Sequence, residues 1–448
     1  MCKINLYIKN YLKIKIKKMF VKEEKMKKIL FVWANSSIST KTRSINAPYH
    51  LVRVYEVMDY LEKRGLECEL IDMEINGDEF ADLMKLIVKD DFSTVVFYNT
   101  FENIPNVLFY NDIIKNMKKN EINTITYGEV STICSDYFLD YTFDGIIKND
   151  CDPEISIMDF HLYSNGKRKK EKVRGVLFLE EGCFKMYQDG EFINPEEWGF
   201  SREKFLNYSK LTSLSKSKQI TIAVAKGCPY NCSFCLTSDY EGKKLRQRPI
   251  NQIIDFINEN NYDTYKFFAA NFTIDKEYVI ELCDKIITAN KKIRWSCSTR
   301  ADLLQDESII KKMAESGCYK ISVGVESLYN DNLNNLSKTI NYDMIIKSIN
   351  LVKKYGIMYK ALIMFGIPKQ TKYELYNTVQ KLQELGVVVR PTAYTPLYCL
   401  KRGMNPYDVC RLDKYTYYDN MENIEYGTFL NILFDCKNIK KYIGDELC

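Results

Sequence analysis

The feature that most restricts the fold is an alternation, met twice along the chain, of short apolar runs with longer amphipathic stretches. From about residue 28 to 149 the runs "ILFVWAN", "CELIDM", "TVVFYNT", "TITYGEV" and "FDGIIKN" alternate with helix-like segments. The first such segment, "APYHLVRVYEVMDYLEKRG", repeats Leu51, Val54, Met58 and Leu61 at helical spacing. Pro48 falls near its start and Gly65 at its end, the usual punctuation of a helix. Further helices are expected from about Asp78, after Pro105 and after the fourth run. Strand runs separated by helices imply a parallel, doubly wound sheet of the α/β class. Ligands of such sheets sit outside the carboxyl ends of the strands. The loops expected there, "NSSISTKTRS" and "GEVSTI", contain no G-x-G-x-x-G, so a dinucleotide is not indicated.

Residues 151–215 lose this rhythm. "SNGKRKKEKVRG" is polar and basic and "QDGEFINPEEWGF" is rich in turn residues, so this stretch reads as a linker with a small hairpin around "GVLFLEEGCFKMYQDG". A second series then begins, with strands "TIAVAKG", "TYKFFAANF", "IRWSCSTR", "YKISVGVES", "YKALIMFGI" and "VVVRPTAYT". Between them lie helical stretches such as "NYDMIIKSINLVKKYG", closed by a glycine. Six such units are too few for a closed eight-unit barrel and fit a partial one, whose chemistry belongs at the carboxyl ends of its strands. The chain therefore divides into a basic extension over 1–25, a doubly wound domain over 26–150, the linker over 151–215, a barrel-like core over 216–400 and a C-terminal extension over 401–448.

Composition excludes several classes. The 15 cysteines, odd in number and spread over 448 residues, do not make a secreted disulfide framework. The N-terminus lacks a signal-peptide pattern, and runs such as "ALIMFGI" are too short to span a bilayer. A reducing, cytoplasmic setting is expected, without membrane attachment. Residues 1–28 hold ten lysines and two glutamates, +8 in all, so the rest of the +5 chain sums to −3. That head reads as a disordered tail, with Met26 opening the first strand run. No basic patch is legible on the folded body, so nucleic-acid binding is not expected.

One loop carries the chemistry. "AVAKGCPYNCSFCLTSDYEGKKLRQRP" places Cys228, Cys232 and Cys235 at C-x3-C-x2-C spacing directly after the first strand of the second series. Three thiolates suit a soft metal centre. Structural zinc wants a fourth Cys or His nearby, and the chain has only His50 and His161, both far away in sequence. A [4Fe–4S] cluster takes one thiolate per iron, so three would leave one iron open to an exogenous ligand. The plain alternative is three inert cysteines in a βα loop.

This motif, with the aromatic Phe234 before its third cysteine, resembles the cluster motif of radical S-adenosylmethionine (SAM) enzymes over roughly residues 215–400. The resemblance implies that the open iron holds SAM and that its reductive cleavage yields a 5′-deoxyadenosyl radical. It also marks cofactor-binding positions: Phe234; Asn271 in "AANFT", where relatives carry an acidic residue and this chain has alanines; Ser298 and Arg300 in "SCSTRADLL"; and Gly324, Glu326 and Ser327 in "GVES". "KLRQRP" is similar to the arginine-bearing segment before the first core helix, and "FGIP" supplies Gly366 and Pro368. Chemically, Arg300 suits a carboxylate and Glu326 suits ribose hydroxyls, while Arg300 could equally pair with Asp302, and Glu326 could be solvated.

A doubly wound domain before such a core resembles the cobalamin-binding subclass. The implied architecture is a Rossmann-like cobalamin-binding-type domain followed by a partial (β/α)6 radical SAM barrel. The D-x-H-x-x-G of methionine-synthase-type domains is missing: the first loop offers Ser36, Ser37, Ser39, Thr40 and Thr42, and Asp159 and His161 lie beyond the fifth strand. Any cobalamin is therefore expected without a histidine ligand. The resemblance implies methylation of unreactive carbon in a peptide or secondary metabolite, with flavodoxin or ferredoxin as electron donor. Cobalamin-free radical chemistry (epimerisation, cyclisation or thioether formation) and a non-catalytic iron–sulfur protein are the alternatives. Cys399, Cys410, Cys436 and Cys448 are too loosely spaced to indicate a second cluster strongly, and "KYTYYDNMENIEYG" is a tyrosine-rich candidate for lining a cleft.

Overall fold

The computed structural model describes residues 26–34, 51–73, 79–89, 91–118, 121–148, 151–201, 219–289 and 291–412. The loop "NSSISTKTRS", His50, Cys436, Cys448 and the tyrosine-rich tail segment lie outside the described residues.

The first series forms β1 (Lys28–Trp33), α1 (Val52–Glu62), β2 (Cys68–Asp72), α2 (Glu79–Val88), β3 (Phe92–Asn99), α3 (Ile104–Lys118), β4 (Asn123–Gly128), α4 (Glu129–Ile133) and β5 (Gly145–Ile147). The sheet runs β2-β1-β3-β4-β5, and all these pairings are parallel. This is the doubly wound order expected from the alternation. β3 is buried along its whole length, which is why "FSTVVFYN" is apolar without a period of two. One face packs under α1 through Phe31, Trp33, Val54, Met58 and Tyr98. The other packs through Leu30, Val95, Phe97 and Ile104.

The stretch read as a connector differs from that reading in one respect. It contains a twelve-residue helix, α5 (Pro153–Ser164), followed by β6 (Val176–Glu180) and β7 (Cys183–Met186). The hairpin was legible, and it adds two antiparallel strands to the β5 edge of the first sheet. The helix escaped notice because its apolar and polar residues are not segregated into stripes: Glu154, Asp159 and His161 are buried beside Ile157 and Phe160.

The second series forms β8 (Gln219–Ala223), the short β9 (Ala225–Lys226), α6 (Thr237–Glu241), β10 (Arg246–Gln247), α7 (Ile250–Glu259), β11 (Thr264–Phe268), α8 (Lys276–Thr288), β12 (Trp295–Arg300), α9 (Glu307–Glu315) and β13 (Cys318–Glu326). It continues through α10 (Asn330–Asn335), α11 (Tyr342–Lys354), β14 (Met358–Phe365), α12 (Lys372–Glu384), β15 (Val388–Ala393) and α13 (Pro406–Cys410). Six parallel strands, ordered β15-β14-β13-β12-β11-β8, make an open barrel-like sheet with all six expected strands present. Caps fix the helix starts. Asp275, Asp306 and Asn341 each accept an amide hydrogen bond in the first turn of α8, α9 and α11, and Thr371 with Glu374 closes a capping box on α12.

Buried charge joins the two sheets. Lys226, 7% exposed, lies 3.3 Å from Glu56 of α1 and 3.5 Å from Glu154 of α5. Arg246 pairs with Asp152, the residue preceding α5, and Arg248 is fully buried. Its guanidinium donates to the carbonyls of Ala223 at 2.8 Å, Trp198 at 3.0 Å and Gly199 at 2.7 Å. Burial depresses the Arg248 guanidinium to about 10. The arginines of "KLRQRP" thus fasten the barrel's first loop to the preceding domain.

Candidate active site

The three cysteines occupy the loop between β9 and α6, just past the carboxyl end of β8. Gly227 opens it at φ 91°, and a Cβ there would lie 2.1 Å from the Lys244 carbonyl, so only glycine fits. The Gly227 amide donates to Glu241 Oε2 at 3.0 Å, the Cys228 amide to the Gly242 carbonyl at 3.0 Å and the Ser233 amide to the Leu336 carbonyl at 3.1 Å. Arg53 of α1 pairs with the other Glu241 oxygen and lies 4.0 Å above the Tyr240 ring. The loop is therefore pinned from the first domain as well as from the barrel.

Donors from neighbouring strand ends reach the sulfurs. Asn271 Nδ2 is 3.3 Å from Cys228 Sγ, and Arg300 Nη1 is 3.7 Å from Cys232 Sγ. The Thr237 amide lies 3.5 Å from Cys235 Sγ. Burial pushes the Cys228 and Cys232 thiols up, with Lys338 and Arg300 pulling Cys232 partly back. The three sulfurs interact electrostatically with one another. Among the described residues no three His, Cys, Asp or Glu side chains are drawn together at metal-binding geometry. The donor set nevertheless fits an iron–sulfur cluster: three soft ligands on one loop, with N–H donors aimed at their sulfurs. Binding metal there must displace the thiol protons.

The other expected positions separate into two groups. Asn271, Arg300, Gly324 and Glu326 come to the cysteine end of the barrel. Arg300 ends β12, forms a fork to Asp302 at 2.9 and 3.2 Å and stacks 3.9 Å from the Tyr230 ring. The Asp302 pairing left open by the sequence is thus real, and it leaves Nη1 aimed at Cys232 of the cysteine loop. Glu326 ends β13, is 6% exposed and adopts φ 60°, a left-handed backbone rare outside glycine. The ladder to β14 shifts between Gly324 and Glu326, a bulge that re-aims the side chain. Its Oε1 accepts from Lys338 Nζ at 2.8 Å, so Glu326 is not simply solvated. A Cβ on Gly324 would lie 2.6 Å from both atoms of that pair. Ser298 is half-buried on β12, and Phe234 packs, as does Tyr394, against the cluster of Leu336, Met364 and Ile367.

Ser327, next in the chain to Glu326, is engaged in the turn that follows β13. It is fully buried, and its hydroxyl accepts from the Tyr329 amide at 3.2 Å and Asn332 Nδ2 at 3.1 Å, which organises the turn into α10. Conversely, sequence reasoning missed Lys338, Tyr230 and Thr339, whose hydroxyl accepts from Arg300 Nη2 at 3.2 Å. "NNLSKTI" carries no periodic or spacing signal, so only the folded chain reveals that Lys338 meets Glu326.

Residues 222–382 match the family model of the radical SAM superfamily. That stretch runs from β8 into α12 and includes the three cysteines. Among curated proteins this chain is similar to an uncharacterized methyltransferase of Pyrococcus horikoshii, 26% identical over 170 residues, covering 37% of this chain and 37% of that protein. It is also similar to bacteriochlorophyllide d C-12(1)-methyltransferase of Chlorobaculum tepidum, 25% identical, covering 45% of this chain and 47% of that protein. The matches thus span less than half the length of these relatives. In three dimensions the chain resembles the radical SAM methyltransferase TsrM from Kitasatospora setae, solved with cobalamin and a [4Fe-4S] cluster bound. That similarity has a TM-score of 0.66 at 15% identity and covers 83% of this chain and 74% of that one. It extends beyond the radical SAM core and shows a shared fold, a Rossmann-like sheet ahead of the barrel.

Proposed function

We propose that this protein is a radical SAM methyltransferase, carrying a [4Fe–4S] cluster on Cys228, Cys232 and Cys235 and cobalamin between the two sheets. The observation that carries the reading is the cysteine loop itself, with three thiols at the barrel mouth and Asn271 and Arg300 donating toward two of them. When bound, the cluster supplies the electron that cleaves SAM, and cobalamin supplies a methyl carrier. The chain's own residues bind and orient: Glu326, held by Lys338, offers its second oxygen to ribose hydroxyls, and Gly324, lacking a Cβ, makes room for that ion pair. Arg300, anchored by Asp302 and stacked on Tyr230, balances the negative charge of the sulfurs.

For cobalamin, α4 at the carboxyl edge of the first sheet packs against α6, directly after the cysteines. The Tyr127 hydroxyl at that edge is buried without a hydrogen-bond partner. Such an orphan suits a polar ligand group. Tyr98 packs beside it at 5.1 Å. His161 does not serve this edge: its Nδ1 lies 2.9 Å from Thr94 Oγ1, near the opposite end of β3, and the residue is 1% exposed. Cobalamin is therefore held without a histidine from the described residues. The substrate is a small molecule or peptide, and a flavodoxin or ferredoxin is the reductant. No helix among the described residues is long and apolar enough to cross a membrane, and a cytoplasmic location forms part of the proposal.

The test is anaerobic reconstitution of the full chain. About four irons per chain are expected, lost in the triple Cys→Ala variant, together with 5′-deoxyadenosine or a methylated product from SAM under strong reductant. Wild-type iron content in the triple variant refutes the cluster assignment. Nitrogen superhyperfine splitting of the Co(II) form that disappears in His50→Ala or His161→Ala refutes the histidine-free cobalamin.

A further inference from the structure

The inner face of the open barrel is strongly basic. On β13 and β14 the side chains alternate: Ile321, Val323, Tyr359 and Ala361 are fully buried against the helices, whereas Lys320, Ser322 and Lys360 are half-buried on the opposite, concave face. Tyr359 fixes the sense of this alternation, because its hydroxyl lies 3.0 Å from Ser348 Oγ of the outer helix α11. The register then sets the neighbours. Lys320 pairs with Ser296 and Met358, and Ser322 pairs with Lys360, so Lys320 and Lys360 are the same-face neighbours of Ser322 along and across the strands. Lys266 on β11 continues the Lys320 row through Ser296, and Arg390 on β15 stands one step beyond Lys360. From the six strands the only carboxylate on this face is Glu326, which is already paired with Lys338.

Like charges are not gathered on a half-buried surface without consequence. No carboxylate among the described residues pairs with Lys320 or Lys360. Burial first, then Arg390 and Lys320, depress the Lys360 ammonium to about 8. A bound oxyanion would relieve that mutual repulsion, and ammonium groups near a hydroxyl match the oxygens of a phosphoryl group.

We propose that Lys320, Lys360 and Ser322 form an oxyanion-binding floor in the barrel, anchoring the phosphoryl or carboxylate group of a small-molecule substrate, with a dianionic phosphoryl group the better charge match. The inference rests on the barrel being a substrate chamber, as in the function proposed above. Lys360 lies five residues before Phe365 at the end of β14, roughly 16 Å of extended strand below the cysteine end. The substrate is therefore elongated, its anion on the floor and its reacting carbon toward the cluster loop.

The test uses the full chain without reduction, so its outcome is independent of whether SAM is cleaved. Pyrophosphate and succinate are titrated calorimetrically at matched ionic strength. Pyrophosphate is expected to bind, and Lys320→Gln and Lys360→Gln each to weaken it about ten- to a hundredfold, the loss of one charge-assisted hydrogen bond. Lys347→Gln, exposed on the outer helix, serves as the control and changes nothing. In parallel, trinitrobenzenesulfonate at pH 8 should modify Lys360 early, by peptide mass spectrometry, and pyrophosphate should protect it. Succinate binding more tightly than pyrophosphate, with the same variants affected, assigns the floor to a carboxylate. Should the variants misfold, protection in the wild-type chain decides. The proposal is overturned if neither anion protects Lys360, or if both bind the lysine variants as tightly as wild type.

Discussion

Replacing Lys338 by methionine tests how the Glu326–Lys338 pair is built. The two side chains are 5% and 8% exposed and meet at 2.8 Å, so the change leaves a carboxylate buried without its partner. Breaking a buried pair from one side costs about 3–5 kcal/mol, whereas replacing both members by apolar residues of similar volume is close to neutral. Methionine keeps the apolar stem near Phe234, so little of the loss arises from packing. Backbone strain points the same way. A glutamate at φ 60° gives up about 1–2 kcal/mol that glycine would not, so the side chain must contribute more than that to be held there. Urea unfolding at pH 7, followed by circular dichroism, should place Lys338→Met about 3–5 kcal/mol below wild type. Glu326→Leu/Lys338→Met should recover most of it, giving a coupling energy above about 2 kcal/mol. Equilibrium dialysis with SAM separates stability from contact: the double variant should regain stability yet bind SAM about ten- to a hundredfold more weakly. A Lys338→Met loss under about 1 kcal/mol, or singles that simply add, would refute the buried-pair argument; undiminished SAM affinity in the double variant would remove Glu326 from the pocket.

Three further outcomes are expected. His161 is held neutral, its imidazole depressed to about 4 by burial, below the unfolded value of 6.5. Its contribution is complete above pH 6.5 and is lost as pH falls from there toward 4, about 3 kcal/mol in all; denaturant midpoints at pH 7 and 5 should converge in His161→Gln. Asn271→Leu removes an N–H donor to Cys228 sulfur, so the cluster should become harder to reduce, read as a more negative potential in a titration followed by electron paramagnetic resonance. Gly227→Ala should drive the Lys244 carbonyl away and lower iron incorporation while the far-ultraviolet spectrum is preserved; full iron loading would show that the loop tolerates a Cβ there.

The sequence alone determined what depends on local pattern. Eleven strands of the two series were legible, because buried parallel strands are uninterrupted apolar runs and amphipathic helices repeat every three to four residues. The cysteine loop was legible because ligand spacing is a chain property. The helix Pro153–Ser164 was not, since polar residues buried by ion pairs across an interface erase the stripe that marks a helix. Only the tertiary structure decided which strand ends converge. It set Glu326 against Lys338 and Arg300 against Asp302 and the sulfur of Cys232, and turned Ser327 into a buried cap. It also aligned Lys320 and Lys360, 40 residues apart, on one concave face. The physical reason is common to all of these: a side chain's electrostatic partner is fixed by register and crossover in space, and a single sequence records neither.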